Sequence, residues 1–203
     1  MIKPGEIQNK AREARIRDQQ IEKDYILSWI LQGIASHPKL SELIVFKGGT
    51  VLKKIYFNDY RLSEDLDFTL IDYNLTNQQI LELFKKVFEY IKEEANIPLE
   101  IIDNNDHEDG GINFYISYVG PLGGIGANKK IKVDISRSEK LEFKPVKHDV
   151  FCNYSDQSRH QLLCYSLEEV IVEKMRSIMQ RMQARDLYDI WYLLEIHGIK
   201  IDL

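Results

Sequence analysis

The tetrapeptide Asp65-Leu66-Asp67-Phe68 constrains the fold more than any other segment, because acidic and apolar side chains alternate along it. Successive side chains of a β-strand point to opposite faces, so Asp65 and Asp67 share one face while Leu66 and Phe68 enter the core. The alternation extends over residues 62–71. It predicts a strand in a sheet that has one buried face and one face bearing carboxylates.

Helix and strand patterns alternate along the rest of the chain, which predicts an α/β (α+β) fold with a mixed sheet flanked by helices. Residues 18–36 carry apolar side chains at helical spacing, and Glu22, Lys23 and Asp24 are expected mostly outside that apolar stripe. A second long amphipathic helix is predicted over residues 76–95. Further strands are predicted over 99–102, 112–119 and 131–135.

A short strand over residues 43–46 leads into a glycine turn at residues 47–50, Lys-Gly-Gly-Thr, and a helix follows over residues 51–57. Gly48 and Gly49 leave room for a ligand to approach the backbone, and the helix directs its N-terminal amides toward any phosphate bound there. Fourteen residues separate this turn from Asp65, and the fold would place a phosphate site beside the carboxylates.

A second glycine-rich stretch, residues 120–130, joins two strand-like segments. We favour a hairpin loop there over a phosphate cradle, because no helix follows to supply N-terminal amides.

The composition shifts toward helix formers after Tyr154. Ser166 and Glu169 form a capping-box pattern, and helical sequence then continues as far as Gly198. We therefore predict an α/β core with an N-terminal helix over residues 1–150, and a C-terminal helical unit over residues 151–203 packed on that core.

Bulk properties exclude several classes of protein. The 203 residues carry a net charge of -5, which argues against non-specific coating of nucleic acid. Cys152 and Cys164 lie far apart in the sequence and support neither a zinc site nor a disulfide framework. No segment resembles a secretion signal or an apolar span of about 18 residues. The expected location is the cytoplasm, with no membrane association.

Asp134 supplies a third carboxylate, since Ile131-Lys132-Val133-Asp134-Ile135 alternates in the same way as the first strand. Three carboxylates that converge repel one another, so a cluster of this kind favours a cation such as Mg²⁺ or Mn²⁺. The alternative is structural: Asp134 would be an edge residue paired with Lys132, which lies on the same face.

These segments resemble a known family. FKGGT followed after fourteen residues by DLDF is similar to the first motif of the DNA polymerase beta-like nucleotidyltransferases, and KGGTVLKKIYFNDYRLSEDLDF looks like the AbiEii/AbiGii toxins within that superfamily, which include the MenT toxins of type IV toxin–antitoxin systems. IKVDIS resembles the second motif of the family, EKMRSIMQRMQARDLYDIWYLL its C-terminal signature, and IEKDYILSWIL its N-terminal helix.

The resemblance implies a nucleotidyltransferase-type sheet and a set of functional residues. Its implied metal ligands are Asp65, Asp67 and Asp134, and its further catalytic residues are Lys174, a phosphate clamp, and Asp186, which would orient neighbouring groups. The implied nucleotide-binding residues are Gly48, Gly49, Thr50, Ser63, Lys132, Arg181 and Arg185. Many members of the family continue with more helical sequence, so part of an acceptor surface is expected to be absent here.

The C-terminal residues have competing interpretations. Lys174, Arg181 and Arg185 fall near one face of a continuous helix, which suits either an anionic ligand or an ordinary solvated basic face. Tyr188 and Trp191 are expected in the core rather than as base-stacking groups.

The predicted activity is metal-dependent transfer of a nucleoside monophosphate from an NTP to an acceptor hydroxyl. By resemblance the acceptor is RNA, such as the 3′ end of tRNA, and a cognate antitoxin is the expected partner. Lys53, Lys54, Lys129, Lys130 and Lys132 slightly favour RNA. The alternatives are modification of a small molecule or a protein hydroxyl, and an NTP-binding module without turnover.

Overall fold

A computed structural model of the chain describes residues 1–72, 74–124, 129–137 and 139–200. The helices are α1 (Pro4–Ala14), α2 (Asp18–Ser36), α3 (Leu40–Leu43), α4 (Gly48–Val51), α5 (Asn77–Ala95), α6 (Leu167–Arg181) and α7 (Ala184–Trp191), with π-helical turns extending α4 over Leu52–Tyr56 and α7 over Tyr192–Ile196. The strands are β1 (Ile44–Lys47), β2 (Asp65–Leu70), β3 (Leu99–Asp106), β4 (Ile112–Tyr118), β5 (Lys130–Ser136), β6 (Val146–Asp149) and β7 (Gln161–Cys164).

The strands form one mixed sheet in the order β3-β4-β5-β2-β1-β7-β6, which confirms the predicted fold class. The pairs β2–β5 and β1–β7 are parallel, and the other neighbours are antiparallel. Because β4 and β5 are antiparallel neighbours, the predicted hairpin between them is confirmed, although residues 125–128 of its loop lie outside the described residues.

The predicted alternation is confirmed over residues 65–68, although β2 is shorter than the predicted strand over 62–71 and Thr69 is also buried. Leu66 and Phe68 are fully buried, and the aspartates between them are partly exposed on the other face. On the neighbouring strand β5, Val133 and Ile135 are equally buried. The apolar side of the sheet therefore contributes to the core, and the carboxylate side remains open.

Both predicted long helices are present and pack against each other. The hydroxyl of Thr76 accepts a hydrogen bond from the backbone of Gln79, whose side chain accepts one from the backbone of Thr76, so α5 begins with a complete capping box. Gly33 of α2 meets this helix, since a Cβ atom there would lie 2.8 Å from both Val87 and Ile91. The missing side chain is what permits the close approach.

The expectation that Glu22 and Asp24 lie outside the buried stripe of α2 is wrong. Glu22 is fully buried and binds Lys129 at 2.9 Å, while Asp24 binds Lys54 at 2.7 Å. Tyr154 donates a further hydrogen bond to Asp24. Spacing alone missed this because buried carboxylates are acceptable only when paired, and their partners are distant in sequence. Lys54 is fully buried, so it cannot contact RNA as the sequence analysis expected.

The C-terminal third is not wholly helical, because β7 is inserted between β1 and β6 in the central sheet. Four-residue strands such as β6 and β7 are too short to give a clear alternation. The division of the chain into units at residue 150 stays a prediction.

The predicted continuous C-terminal helix is interrupted. α6 ends where Met182 adopts a left-handed conformation at φ 44°, and α7 begins two residues later, so Arg185 lies on a different helix from Lys174 and Arg181. Neither glycine nor proline marks the break, which is why the sequence pattern did not reveal it.

Tyr188 and Trp191 are not in the core, contrary to expectation: 43% and 49% of their surfaces are exposed. Other large apolar side chains in this part of the chain are exposed as well: Met175, Met179, Met182, Leu187, Leu194 and Ile196. Among the described residues, no helix has the length and apolar character needed to cross a bilayer.

The buried Asp24–Lys54 pair generates a prediction about stability. We expect Lys54→Met to lower the free energy of unfolding by about 3 kcal/mol or more, because it leaves a buried carboxylate without its cation. Lys147→Met is the matched control, since Lys147 pairs with Glu42 at an exposed position, and we expect it to cost less than about 1 kcal/mol. Urea unfolding monitored by circular dichroism measures both; equal losses would contradict the structural importance of the buried pair.

Candidate active site

An open cleft lies over the carboxylate-bearing face of β2 and β5 and is bounded on its other side by α6 and α7. Its lining residues are Lys47, Gly48, Gly49, Arg61, Ser63, Asp65, Asp67, Lys132, Asp134, Glu139, Glu173, Lys174, Ser177, Arg181 and Arg185. Ten of the twelve site residues predicted from the sequence are in this set, the exceptions being Thr50 and Asp186.

The acidic wall of the cleft, as we call it, consists of Asp65, Asp67 and Asp134 on the sheet, Glu139 from the segment after β5, and Glu173, which α6 supplies next to Lys174. Parallel pairing of β2 with β5 places Asp67 directly beside Asp134, and Asp65 beside Lys132. Burial and then the charge of Glu173 raise the pKa of Asp67 to about 7, with smaller contributions from the other aspartates. The acidic wall therefore carries more negative charge than the neighbouring cations and hydrogen bonds stabilise.

Two lysines partly balance the acidic wall. The Nζ of Lys132 lies 3.0 Å from Oδ2 of Asp134, so the predicted structural alternative is correct about this pair, although β5 is an interior strand and not an edge. Lys47 is buried opposite Asp67 and binds both carboxylate oxygens of Glu139, whereas its distance to Glu173 is 3.6 Å. Lys47 is thus committed mainly to Glu139.

The glycine turn begins α4 at the edge of this wall. Gly48 has φ +76°, and a Cβ atom there would lie 3.1 Å from Cβ and Cγ of Asp67 and closer still to its Oδ2. Two reasons therefore require glycine at this position: the positive φ, and the space that the Asp67 carboxylate occupies.

Thr50 does not face the cleft. It is buried, and its hydroxyl donates a 2.6 Å hydrogen bond to the backbone carbonyl of Asp65. This bond ties the turn to β2 and engages the Thr50 hydroxyl within the protein, and the contact of Thr50 with a nucleotide stays a prediction. Ser63 does line the cleft, two residues before Asp65, and its contact with a phosphate stays a prediction.

The helical side of the cleft, which we call the basic wall, is organised by two fully buried aspartates of α7. Asp186 accepts hydrogen bonds from Lys174 and Arg181. Burial opposes ionisation of Asp186, but these two partners outweigh it and lower the pKa of its carboxyl. Asp189 binds Lys174 at 3.0 Å and also binds Arg61.

These contacts separate Lys174 from the other basic residues, for which both interpretations stay open. Lys174 is buried, so it is not part of a solvated face, whereas Arg181 and Arg185 are exposed at the cleft. Asp186 lies behind the lining and holds Lys174 and Arg181, which agrees with an orienting role.

Sequence reasoning missed five lining residues, Lys47, Arg61, Glu139, Glu173 and Ser177, together with Asp189 behind them. Glu173 and Asp189 lie inside the C-terminal signature, so the sequence could have indicated them as candidate site residues. Arg61 lies outside any regular element, so no periodicity pointed to it.

The residues of the acidic wall fit a divalent cation in their chemistry, since carboxylate oxygens are the ligands that Mg²⁺ and Mn²⁺ prefer. Oε2 of Glu173 is buried and makes no hydrogen bond among the described residues, and a cation would relieve its repulsion with Asp67. In the described ranges, no three His, Cys, Asp or Glu side chains are already drawn together as a metal site. The metal ligation by Asp65, Asp67 and Asp134 stays a prediction.

Comparison with known proteins gives a family and a fold. A family model described as nucleotidyl transferase AbiEii toxin, type IV TA system, matches residues 29–203. No curated protein matches the chain in sequence. The crystal structure of JHP933 from Helicobacter pylori is similar with a TM-score of 0.60 and 20% identity, covering 88% of this chain and 67% of that one. A candidate nucleotidyltransferase from H. pylori is similar with a TM-score of 0.58 and 21% identity, covering 90% and 70%.

The contact between the glycine turn and Asp67 generates a second prediction. We expect Gly48→Ala to lower the free energy of unfolding by roughly 2 to 4 kcal/mol, because it combines an unfavourable φ with an overlap on the carboxylate. Gly124→Ala is the control, since Gly124 has a nearly equal φ of +78° and open space around its Cβ position. Thermal and urea unfolding compare the two variants; a loss at Gly48 no larger than at Gly124 would show that the carboxylate moves aside freely.

The raised pKa of Asp67 generates a third prediction. The folded chain binds a proton at Asp67 more tightly than the unfolded chain, whose pKa is near 3.8, so this group lowers stability as pH rises from about 4 to 7. With a chelator present at pH 8, we expect Asp67→Asn to be more stable than the wild type by roughly 1 to 3 kcal/mol.

The advantage of Asp67→Asn should shrink as pH falls toward 4, where the wild-type carboxyl is neutral in the folded chain. Urea unfolding at several pH values measures this, with Glu64→Gln as a control at an exposed neighbouring position. A gain in stability that does not depend on pH would contradict an electrostatic origin.

Proposed function

Because the chain belongs to the AbiEii family of nucleotidyltransferase toxins of type IV toxin–antitoxin systems, we propose that Asp65, Asp67 and Asp134 hold the Mg²⁺ or Mn²⁺ ions of a nucleotidyl transfer reaction. The reaction joins a nucleoside monophosphate from an NTP to an acceptor hydroxyl. The observation that carries the proposal is the parallel register of β2 and β5, which sets Asp67 beside Asp134 with Asp65 on the same face.

The two walls of the cleft suit the two halves of a metal–nucleotide complex. The carboxylates attract cations, whereas Lys174, Arg181 and Arg185 attract phosphates across the cleft. In the reaction the acceptor oxygen bonds to the α-phosphorus, the bond to the β-phosphate breaks, and pyrophosphate leaves while water takes up the hydroxyl proton. Bound divalent cations would favour this by lowering the pKa of the hydroxyl and stabilising the charge on pyrophosphate.

Lys174 has a defined part in this arrangement. It is buried between Asp186 and Asp189, with its Nζ 3.0 Å from an oxygen of each, and it also lines the cleft. The two carboxylates fix the position of the ammonium group, and Lys174 still lines the cleft in which the nucleotide would bind. Lys174 therefore serves as a pre-oriented phosphate contact.

The proposed acceptor is RNA, with the 3′ end of tRNA as the first candidate, and the proposed place of action is the cytoplasm. Exposed Arg181 and Arg185 at the cleft suit an approaching polyanion, although Lys54 no longer supports this assignment because it is buried. A cognate antitoxin is the proposed protein partner, as the family implies.

The test is to incubate the protein with each α-labelled NTP, Mg²⁺ and total tRNA, and to measure label on RNA and release of pyrophosphate. We expect Asp65→Ala to reduce transfer by roughly 1000-fold or more, because metal-bound charge stabilisation contributes several kcal/mol. Glu64→Ala is the matched control and should retain activity, since Glu64 points away from the cleft and pairs with Lys23.

Each outcome has a distinct meaning. Label on a protein or a small acceptor but not on RNA would keep the transfer chemistry and replace the acceptor. NTP binding without pyrophosphate release would instead indicate a binding module. Full activity of Asp65→Ala would overturn the assignment of the metal site.

A further inference from the structure

We propose that Arg61 binds the non-transferred phosphates of the NTP, and that Asp189 is the positioning residue that aligns Arg61 with Lys174. The proposal rests on the proposed function of the cleft as an NTP site and adds to it a phosphate contact on the loop before β2.

Arg61 is held by one edge only. Its Nε lies 3.1 Å from Oδ1 of Asp189, and its Nη2 lies 2.8 and 2.9 Å from Oδ1 and Oδ2 of the same carboxylate. None of the contacts with Asp189 uses Nη1, so the two N–H groups of that nitrogen are not committed to the carboxylate. The side chain is 32% exposed, and it lines the cleft. A guanidinium fixed along one edge by a carboxylate is well suited to bind an oxyanion with its other edge.

The position of Arg61 relative to the glycine turn points to phosphate as the ligand. A Cβ atom at Gly49 would lie 3.2 Å from Nη2 of Arg61, so the guanidinium passes directly over the turn. The absence of a side chain at Gly49 is what leaves room for it. Anything bound against the backbone of this turn therefore meets the guanidinium as well.

Asp189 connects the two cations of the site. It is fully buried and accepts a 2.6 Å hydrogen bond from the hydroxyl of Tyr60, in addition to its contacts with Arg61 and Lys174. One carboxylate thus fixes the direction of two cations that lie on different segments of the chain. Asp186 and Asp189 together bind three cations, Arg61, Lys174 and Arg181, so one positive charge is left over and favours an anion.

The charge distribution across the cleft decides which phosphates these are. The reacting α-phosphate must lie near the acidic wall, where the cations would be bound. The terminal phosphates carry the most negative charge, and they are stabilised by distance from the carboxylates and closeness to the basic wall. Lys174 belongs to that wall and Asp189 holds Arg61 against it, so both would contact the part of the NTP that departs as pyrophosphate.

Binding measurements test the proposal without depending on turnover. Isothermal titration calorimetry with Mg²⁺ compares the α,β-methylene analogues of the four NTPs, which cannot be cleaved at the reacting bond, with the corresponding NMPs. We expect Arg61→Gln to weaken binding of the preferred analogue roughly 10- to 100-fold and to leave NMP binding unchanged. Arg61→Lys should recover part of the loss, because it restores the charge but not the two-pronged geometry.

Two further variants separate binding from structure. Arg176→Gln is the control, since Arg176 is exposed, pairs with Glu142 and does not line the cleft, and it should change neither affinity. Asp189→Asn should also weaken analogue binding selectively, and the double variant with Arg61→Gln should lose less than the sum of the two effects. Because Asp189 is buried, circular dichroism and thermal unfolding check that Asp189→Asn folds. If Asp189→Asn does not fold, the binding measurements on the Arg61 variants alone test the proposal.

If Arg61→Gln prefers the NTP analogue over NMP as strongly as the wild type does, the inference is overturned while the proposed function stays intact. Equal weakening of both ligands would also overturn it, because it would place Arg61 against the nucleoside or in a purely structural role. If the wild-type protein itself did not prefer the analogue, the proposed NTP site would fail, and this inference with it.

Discussion

Carboxylates that are withdrawn from water must be balanced by cations or by hydrogen bonds, and this constraint shapes the whole cleft. The basic wall satisfies it completely, because Asp186 and Asp189 are fully buried and each binds two cations. The acidic wall does not. Lys47 is taken up by Glu139, and Asp67 is left next to Glu173 with a raised pKa. A wall of this kind is costly to fold, and the cations of the proposed reaction would supply the positive charge that it lacks.

The same constraint fixes how the C-terminal helices sit on the sheet. Asp189 of α7 reaches Tyr60 and Arg61, which lie in the segment leading to β2, while Lys174 of α6 binds Asp186 and Asp189. These buried polar contacts tolerate little displacement, since moving one partner would leave a buried charge unpaired. The alignment of the two walls therefore depends on polar geometry at the base of the helices, and not on apolar packing alone.

The parts of the fold that depend on local periodicity were predictable, and those that depend on distant partners were not. Alternation along β2 and β5 was enough to place Asp67 and Asp134 on one face, and the cap at Thr76 located a helix. The burial of Asp24 was hidden, because its partner Lys54 lies 30 residues away and a charged side chain is normally read as exposed. Likewise the break at Met182 uses a left-handed residue that is neither Gly nor Asn, so no local signal marked the end of α6.

The opposite charges of the two walls imply that cations and nucleotide assist each other's binding. Five carboxylates line the cleft with only Lys47 and Lys132 beside them, while four cations including Arg61 and Lys174 line the other side. A free triphosphate entering the cleft would be repelled by the carboxylates, and a free cation would be repelled by the arginines. A metal–nucleotide complex removes both penalties at once. Because such coupling is reciprocal, whatever factor the cation adds to nucleotide affinity the nucleotide must add to cation affinity. Under the proposed function, the cleft would therefore bind the complex more tightly than either component alone.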